Sequence, residues 1–224
     1  TSLRAPGRRL LLAQDGLWLE AWAPWCHVVH PVSDEPSQMR LPYGTLKSEI
    51  LLAIDWRRDL QFALQTFIER ARSVLPDECS ELWAWREGNE TVERITDHQE
   101  AASPASVRYR RPELAPGWHL VYDIHSHGHH GAGWSGTDDV DDAGDTKIAV
   151  VVGHVDTNRP SIMMRLCIGG MLLPLMTARL ICSTTSSAVA APAARCSPAL
   201  RACTSRCAHS AARACTSPRR IPTP

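Results

Sequence analysis

The sequence YDIHSHGHHGAGWSGTDDVDD, residues 122–142, decides which fold the chain is expected to adopt. Its first residues continue WHLV (118–121), and the combined stretch predicts a strand because β-branched and aromatic residues dominate it. His125 and His127 are two positions apart at the end of that strand, so their side chains project to the same face. This spacing is suited to two ligands on one metal ion.

A short helix is predicted directly after the histidines. Ser135 fits the N-cap position, and Asp138 then lies in the first helical turn. A carboxylate there can complete a His-His-Asp set with an open fourth position for water, which is the catalytic arrangement of zinc. Such a site also needs a carboxylate that shuttles protons. Glu78 is the upstream candidate, but its position in space does not follow from spacing.

The other polar residues of this stretch are not expected to bind the metal. His129 and His130 lie between glycines and are expected to be solvated loop residues. Trp134 is expected either to line a substrate groove or to cover the metal site. The remaining acids are expected on a solvated helix face, where those near the start of the helix interact favourably with the helix dipole. They are Asp139, Asp141, Asp142 and Asp145.

The order of these motifs resembles the JAB/JAMM (MPN-domain) zinc metallopeptidase signature. In that signature HxH is followed after seven residues by SxxD, and a glutamate precedes both just after a helix. The resemblance spans roughly residues 58–175 and is closest to the bacterial PRTRC system protein A type. The segments that carry it are LPYG (41–44), HSHG (125–128), SGTDDVDD (135–142), KIAVVVG (147–153) and RLCIGG (165–170).

The resemblance implies an α+β fold with a curved mixed β-sheet flanked by helices. It implies hydrolysis of an amide or isopeptide bond at the C-terminus of a ubiquitin-like protein, with Zn²⁺ held by His125, His127 and Asp138. Glu78 would activate the metal-bound water and pass its proton to the leaving amine, and Ser135 would donate a hydrogen bond to the oxyanion. The PRTRC cassette further implies a ThiF-related activating enzyme as a partner.

Two positions depart from the family pattern. Gly128 stands where many members have Pro, and Glu81 stands where many have Gly shortly after the glutamate. Glu81 is therefore the reserve candidate for the general base, whereas Glu87 and Glu90 are less suited because they lie in a predicted turn. The alternative function is a non-catalytic docking module that binds a ubiquitin-like or ThiF-like partner.

Three regions are expected along the chain: a small β-rich N-terminal region (1–45), the JAB-like domain (46–177) and a low-complexity tail (178–224). In the first region, two apolar runs flank Asp15-Gly16, which predicts a hairpin. In the second, apolar residues at 59–75 recur at helical spacing, which predicts an amphipathic helix. The apolar runs at 147–155 and 162–168 predict buried strands.

The tail differs from the body in charge. Residues 178–224 hold seven of the 24 Lys+Arg and none of the 24 Asp+Glu, so the tail carries +7 and residues 1–177 carry −7. The tail lacks aromatic residues and is rich in Ala, Ser, Thr and Pro, so burial cannot offset its ordering entropy. We expect it to be disordered or translated out of frame, with nucleic-acid binding through its arginines as the alternative.

Two absences bear on location. The sequence contains no run of 18 or more apolar residues, so no transmembrane helix is expected. No charged-then-apolar leader opens the sequence, so we expect a cytoplasmic location.

Overall fold

The computed structural model describes residues 2–33, 35, 38–96 and 98–179. These residues form three β-sheets and two helices. The helices are α1 (Trp56–Ser73) and α2 (Gly136–Ala143), and the strands are β1 (Gly7–Ala13), β2 (Gly16–Ala23), β3 (Cys26–Pro31), β4 (Glu49–Leu52), β5 (Ser80–Arg86), β6 (Val92–Ile95), β7 (Gln99–Ser103), β8 (Ser106–Tyr109), β9 (Trp118–Ser126), β10 (Lys147–Gly153), β11 (Ser161–Ile168) and β12 (Met171–Arg179).

The N-terminal sheet is antiparallel, with its strands in the order β1-β2-β3-β4. The hairpin predicted at Asp15-Gly16 is confirmed, since Ala13 pairs with Gly16 across the turn. The sheet extends past the boundary expected at residue 45, because β3 continues its ladder onto β4 with Val29 opposite Glu49. A four-residue strand after a long polar connection is too short for its pattern to stand out in the sequence.

Helix α1 is the predicted amphipathic helix. It begins after Asp55, whose side chain accepts a hydrogen bond from the Arg58 N–H at 3.4 Å. It ends at Ser73, shortly before Pro76, which cannot continue a helix. The buried face recurs every three or four residues and consists of Leu60, Ala63, Leu64, Phe67, Ile68 and Ala71.

The largest sheet is mixed, with the order β12-β11-β10-β9-β5-β6. Strands β9 and β10 are parallel, and the other neighbours are antiparallel. Parallel neighbours need a crossover connection, and here α2 lies in that connection. The crossover brings the start of α2 near the end of β9, where the two histidines lie. The expected α+β class with a mixed sheet is confirmed.

One apolar core joins the N-terminal sheet to the largest sheet. Leu19 and Val28 of the N-terminal sheet belong to the same buried cluster as Phe67 of α1 and Val150 of β10. The turn between β11 and β12 also contacts this sheet, because a Cβ at Gly169 would lie 2.9 Å from the Leu19 side chain.

The last strand of the largest sheet extends slightly beyond residue 177, where the tail is expected to begin. Strand β12 continues to Arg179, which pairs with Ser161, so residue 177 falls inside a strand. From residue 180 onward, the predicted tail lies outside the described residues. Among the residues that are described, neither helix is both long and apolar enough to span a membrane.

Candidate metal centre

Two candidate metal ligands come from the end of β9. This strand lies between β5 and β10, so its backbone is fixed on both sides. Ser126, opposite Val152, ends the paired stretch, and the His127 N–H donates to the Val152 carbonyl at 2.9 Å just beyond it. The alternation of side chains places both imidazoles on one face, as the sequence predicts. Their Nε2 atoms are 3.3 Å apart.

The third candidate ligand begins the helix that follows. Ser135 is the N-cap of α2 and forms a capping box with Asp138. Asp138 Oδ2 accepts hydrogen bonds from the Ser135 N–H and from the Ser135 hydroxyl, both at 2.7 Å. Asp138 Oδ1 lies 3.4 Å from His125 Nε2. The N-cap residue therefore fixes one oxygen of the carboxylate while the other faces the histidine.

The three side chains fit a zinc ion. One ligand atom from each of His125, His127 and Asp138 lies within 4.8 Å of the other two. At zinc–ligand distances of about 2.0–2.1 Å and tetrahedral angles, neighbouring ligand atoms are about 3.3–3.4 Å apart. The two measured separations, 3.3 and 3.4 Å, match that edge length. Two imidazoles and one carboxylate are also the donor set of open, catalytic zinc sites.

The protonation states of these groups favour metal binding. Burial lowers the pKa of His125, despite the nearby Asp138 carboxylate, and keeps the imidazole in the neutral form that binds metals. Burial alone would raise the pKa of Asp138, but the hydrogen bonds from the Ser135 N–H and the Ser135 hydroxyl act in the opposite direction, and the pKa is lowered. The carboxylate is therefore ionised and ready to act as a ligand.

Glu78 lines the same cavity as the three ligands. It lies just before β5, where the Glu78 N–H donates to the Ser103 carbonyl at 2.9 Å. The next residue, Cys79, is tied to β9 because its N–H donates to Ser126 Oγ at 3.0 Å. Burial, with the Asp138 charge adding to it, raises the pKa of Glu78 to about 7. The group can thus exchange a proton near neutral pH.

Glu81, the reserve candidate, lies on the other face of the sheet. It pairs with Ile124, one position away from the register of His125, so alternation turns its side chain away from the ligands. Its Oε1 atom accepts hydrogen bonds from Arg70 and Arg94, both at 3.2 Å. The structure therefore places Glu81 in a buried ion pair against α1.

The remaining glutamates lie away from the ligands, in the β5–β6 turn region. Glu87 is exposed and pairs with His119 at 2.7 Å. Neither Glu87 nor Glu90 lines the cavity around the ligands.

The cavity around the ligands has a volume of about 340 Å³ and adjoins a larger one of about 670 Å³. The β7–β8 hairpin and α2 form the walls of both. The residues that line both cavities are Ser106, Val107, Tyr109, Asp123, Thr137 and Asp141. Because they share these residues, the two cavities form one depression that includes the candidate metal centre.

The loop between the histidines and α2 is fixed by close backbone contacts. Gly128 has φ +50°, which excludes the proline of the usual family pattern, because proline is restricted to φ near −65°. A Cβ at Gly153 would clash with the backbone of Gly131 and Ala132, so the loop lies directly on the end of β10. His129 and His130 are exposed, as expected.

Residues behind the ligands differ from the sequence-based expectation. Asp142 was expected on a solvated helix face, but it is buried and paired with Lys147 and Arg165. Trp134 lies over the Arg165 guanidinium, 3.8 Å from the ring centroid, and does not line the cavity around the ligands. The signal for this cluster was Lys147 itself, a lone cation at the start of an apolar strand.

Two family models match parts of the chain. Residues 61–166 match the model described as prokaryotic homologs of the JAB domain, and residues 1–53 match a domain of unknown function, DUF2016. The solution structure of protein DSY2949 from Desulfitobacterium hafniense is similar at 18% identity, with 50% of this chain and 84% of that chain covered and a TM-score of 0.33. A likeness at that level bears on neither fold nor function. No curated protein matches the chain.

Proposed function

On the premise that residues 61–166 belong to the prokaryotic JAB-domain family, we propose that this chain is a zinc-dependent metallopeptidase. The observation that carries the proposal is the geometry of His125, His127 and Asp138: their ligand atoms lie within 4.8 Å of one another, and the two separations from His125 match the edge of a tetrahedral zinc site. Glu78 in the same cavity supplies the acid–base group that hydrolysis requires.

The side chains of His125, His127 and Asp138 would hold the metal. Zinc in such an open site supplies Lewis-acid activation of water and of a carbonyl group at neutral pH. Ser135 supports the set, since its two hydrogen bonds to Asp138 Oδ2 keep Oδ1 directed at the histidines.

Glu78 would carry protons during the reaction. Its raised pKa, about 7, lets it accept a proton in one step and release it to the leaving amine in the next. Its backbone is held by β7 and its chain neighbour Cys79 by β9, so the carboxyl group is attached to a rigid frame.

Ser135 has a second proposed role, as a donor to the developing oxyanion. Its hydroxyl proton is engaged by Asp138 Oδ2 at 2.7 Å, and a hydroxyl donates one hydrogen bond at a time. Oxyanion stabilisation would therefore require the hydroxyl to rotate toward the substrate, while the Ser135 N–H continues to hold Asp138.

The substrate class is proposed from the cavity and from the family resemblance. The depression between α2 and the β7–β8 hairpin continues from the metal centre into the larger cavity, which suits an extended peptide segment ending at the metal centre. We propose that this segment is the C-terminus of a ubiquitin-like protein, joined by an amide or isopeptide bond. A ThiF-related activating enzyme of a PRTRC cassette is the proposed partner.

The test is cleavage of ubiquitin-like proteins that carry a C-terminal extension, with zinc content measured on the same samples. Glu78→Gln should abolish cleavage and keep zinc, whereas His127→Ala should lose both. Glu81→Gln is the matched control. It also removes a carboxylate charge near the start of β5, but on the opposite face of the sheet, so cleavage should be retained.

Two outcomes would overturn the proposal. Full activity in Glu78→Gln would remove Glu78 from the mechanism. Zinc binding without turnover of any tested carrier would favour the docking module that binds a ubiquitin-like or ThiF-like partner.

A further inference from the structure

The position of the third candidate ligand depends on a helix with little apolar packing. Helix α2 has only eight residues, and Asp142 is its one buried residue. Val140, its only large apolar residue, is 77% exposed. Hydrophobic burial therefore does little to hold α2, and with it Asp138, against the sheet. Polar contacts must supply the attachment.

Asp142 provides that attachment. It lies four residues after Asp138, so both side chains are on the same side of α2. Its Oδ1 atom is 2.8 Å from Lys147 Nζ, and its Oδ2 atom accepts from Arg165 Nε at 2.8 Å and from Nη2 at 2.6 Å. Lys147 belongs to β10 and Arg165 to β11, so one carboxylate binds the helix to two neighbouring strands.

Lys147 also contacts the strand that carries the histidines. Its Nζ donates to Asp123 Oδ2 at 2.5 Å, and Asp123 precedes His125 by two residues on β9. Strand alternation places Asp123 and His125 on the same face. One ammonium group thus connects β9, which positions two of the ligands, with α2, which positions the third.

The connection is buried and charged. The side chain of Lys147 is 2% exposed, and those of Asp123 and Asp142 are 5% and 6% exposed. Burial alone would lower the pKa of Lys147, but the Asp123 charge outweighs it and raises that pKa, so the ammonium stays protonated. Without it, Asp142 would keep only its contacts with Arg165, and the buried Asp123 carboxylate would lose its ammonium partner. Repulsion between the two carboxylates would then weaken the attachment of α2 to β9.

We propose that Lys147 is a positioning residue for the metal centre, because it sets the separation between His125 and His127 on one side and Asp138 on the other. The inference rests on the proposed function, since it assumes that these three residues bind zinc. Arg165 assists by holding the second oxygen of Asp142, and Trp134 covers the Arg165 guanidinium.

The experiment measures the zinc dissociation constant of the full chain by competition with a chelator. Lys147→Met removes the charge and keeps a long side chain, and it should weaken zinc binding about 10- to 100-fold, the effect typical of lost support around a metal ligand. The chain has eight cysteines, so background binding is measured on His127→Ala and subtracted.

A matched control separates positioning from general loss of stability. Glu20→Gln removes a buried carboxylate of the N-terminal sheet that pairs with Arg9 and contacts His27. It should destabilise the protein without changing zinc affinity. If Lys147→Met does not fold, the zinc dissociation constant of Asp142→Asn is measured instead. This change keeps the shape of the side chain and weakens its contacts with Lys147 and Arg165.

The outcomes distinguish the two proposals. A wild-type chain that binds no zinc beyond the His127→Ala background would overturn the proposed function. A wild-type chain that binds zinc, with an unchanged dissociation constant in folded Lys147→Met or Asp142→Asn, would overturn only the positioning role of Lys147.

Discussion

Ser135 combines two tasks in a single residue. As the N-cap of α2 it accepts a hydrogen bond from the Asp138 N–H at 3.2 Å, which satisfies one free donor of the helix start. Its own N–H and hydroxyl hold Asp138 Oδ2. The same hydrogen bonds that begin the helix therefore also orient a candidate metal ligand.

Ser135→Ala should affect both tasks, and each effect can be measured separately. The free energy of unfolding should fall by about 1 kcal/mol because the cap is lost, and zinc affinity should fall about 10-fold or more because Asp138 Oδ2 keeps only the backbone donor. Calorimetry and zinc competition measure the two effects. Ser135→Thr retains the hydroxyl and should remain near wild type, and equal zinc binding in Ser135→Ala would contradict the prediction.

At the scale of elements, the centre depends on how a loop, a helix and two strands meet. The loop at 128–134 lies on the end of β10 at Gly153, and the Val155 N–H donates to the Gly128 carbonyl at 3.0 Å. Contacts with the end of β10 therefore fix the backbone of the loop that connects His127 to Ser135. Its path determines how far apart the strand and helix ligands lie.

Gly153→Ala should displace this loop, because a Cβ there clashes with the backbone of Gly131 and Ala132. We expect a loss of about 1–3 kcal/mol in unfolding free energy, typical of overpacking, together with weaker zinc binding. Gly133→Ala is the control in the same loop, since no atom lies within 4 Å of its added Cβ. Unchanged zinc affinity in a folded Gly153→Ala protein would show that the loop path is not decisive.

Local patterns were sufficient to predict most elements and the residues of the His-His-Asp cluster. The HxH spacing and the Ser135 cap depend only on strand and helix periodicity, so His125, His127 and Asp138 could be named from the sequence. The side of the sheet on which Glu78 and Glu81 lie could not, because it depends on the pairing of β5 with β9. Nor could the burial of Asp142, which depends on Arg165, 23 residues away.

At the scale of the whole molecule, the N-terminal sheet contains its own polar cluster around a buried carboxylate, Glu20. The Glu20 side chain is 2% exposed and binds Arg9 at 2.6 Å and His27 at 3.0 Å. Burial alone would raise the pKa of Glu20, but hydrogen bonds from the Leu3 N–H, His27 and Arg9 outweigh it and lower that pKa. The charged form of Glu20 is thus preferred in the folded state.

The stability of the protein should fall in acid partly through this cluster. Because the pKa of Glu20 is lower when folded than the ordinary 4.5, the unfolded chain binds the proton first. The contribution of Glu20 is complete above about pH 4.5 and is lost as the pH falls through the lowered value.

Denaturant unfolding of the wild type and Glu20→Gln between pH 7 and pH 3 measures this contribution. At pH 7 the variant should be less stable by about 1.5–3 kcal/mol, the usual range for hydrogen bonds to a charged group. The difference should shrink in acid, and a difference that is independent of pH would contradict the assignment.

The shared core determines how the chain is expected to unfold locally. Two family models meet between residues 53 and 61, yet Leu19 and Val28 pack in the same apolar cluster as Phe67 and Val150. Native-state hydrogen exchange should therefore report one cooperative unit, in which the protected amides of β2, β3 and β10 exchange with the same opening free energy. Earlier exchange of β2 and β3 would reveal two foldons. A single opening free energy would mean that the two segments matched by different family models fluctuate as one cooperative unit.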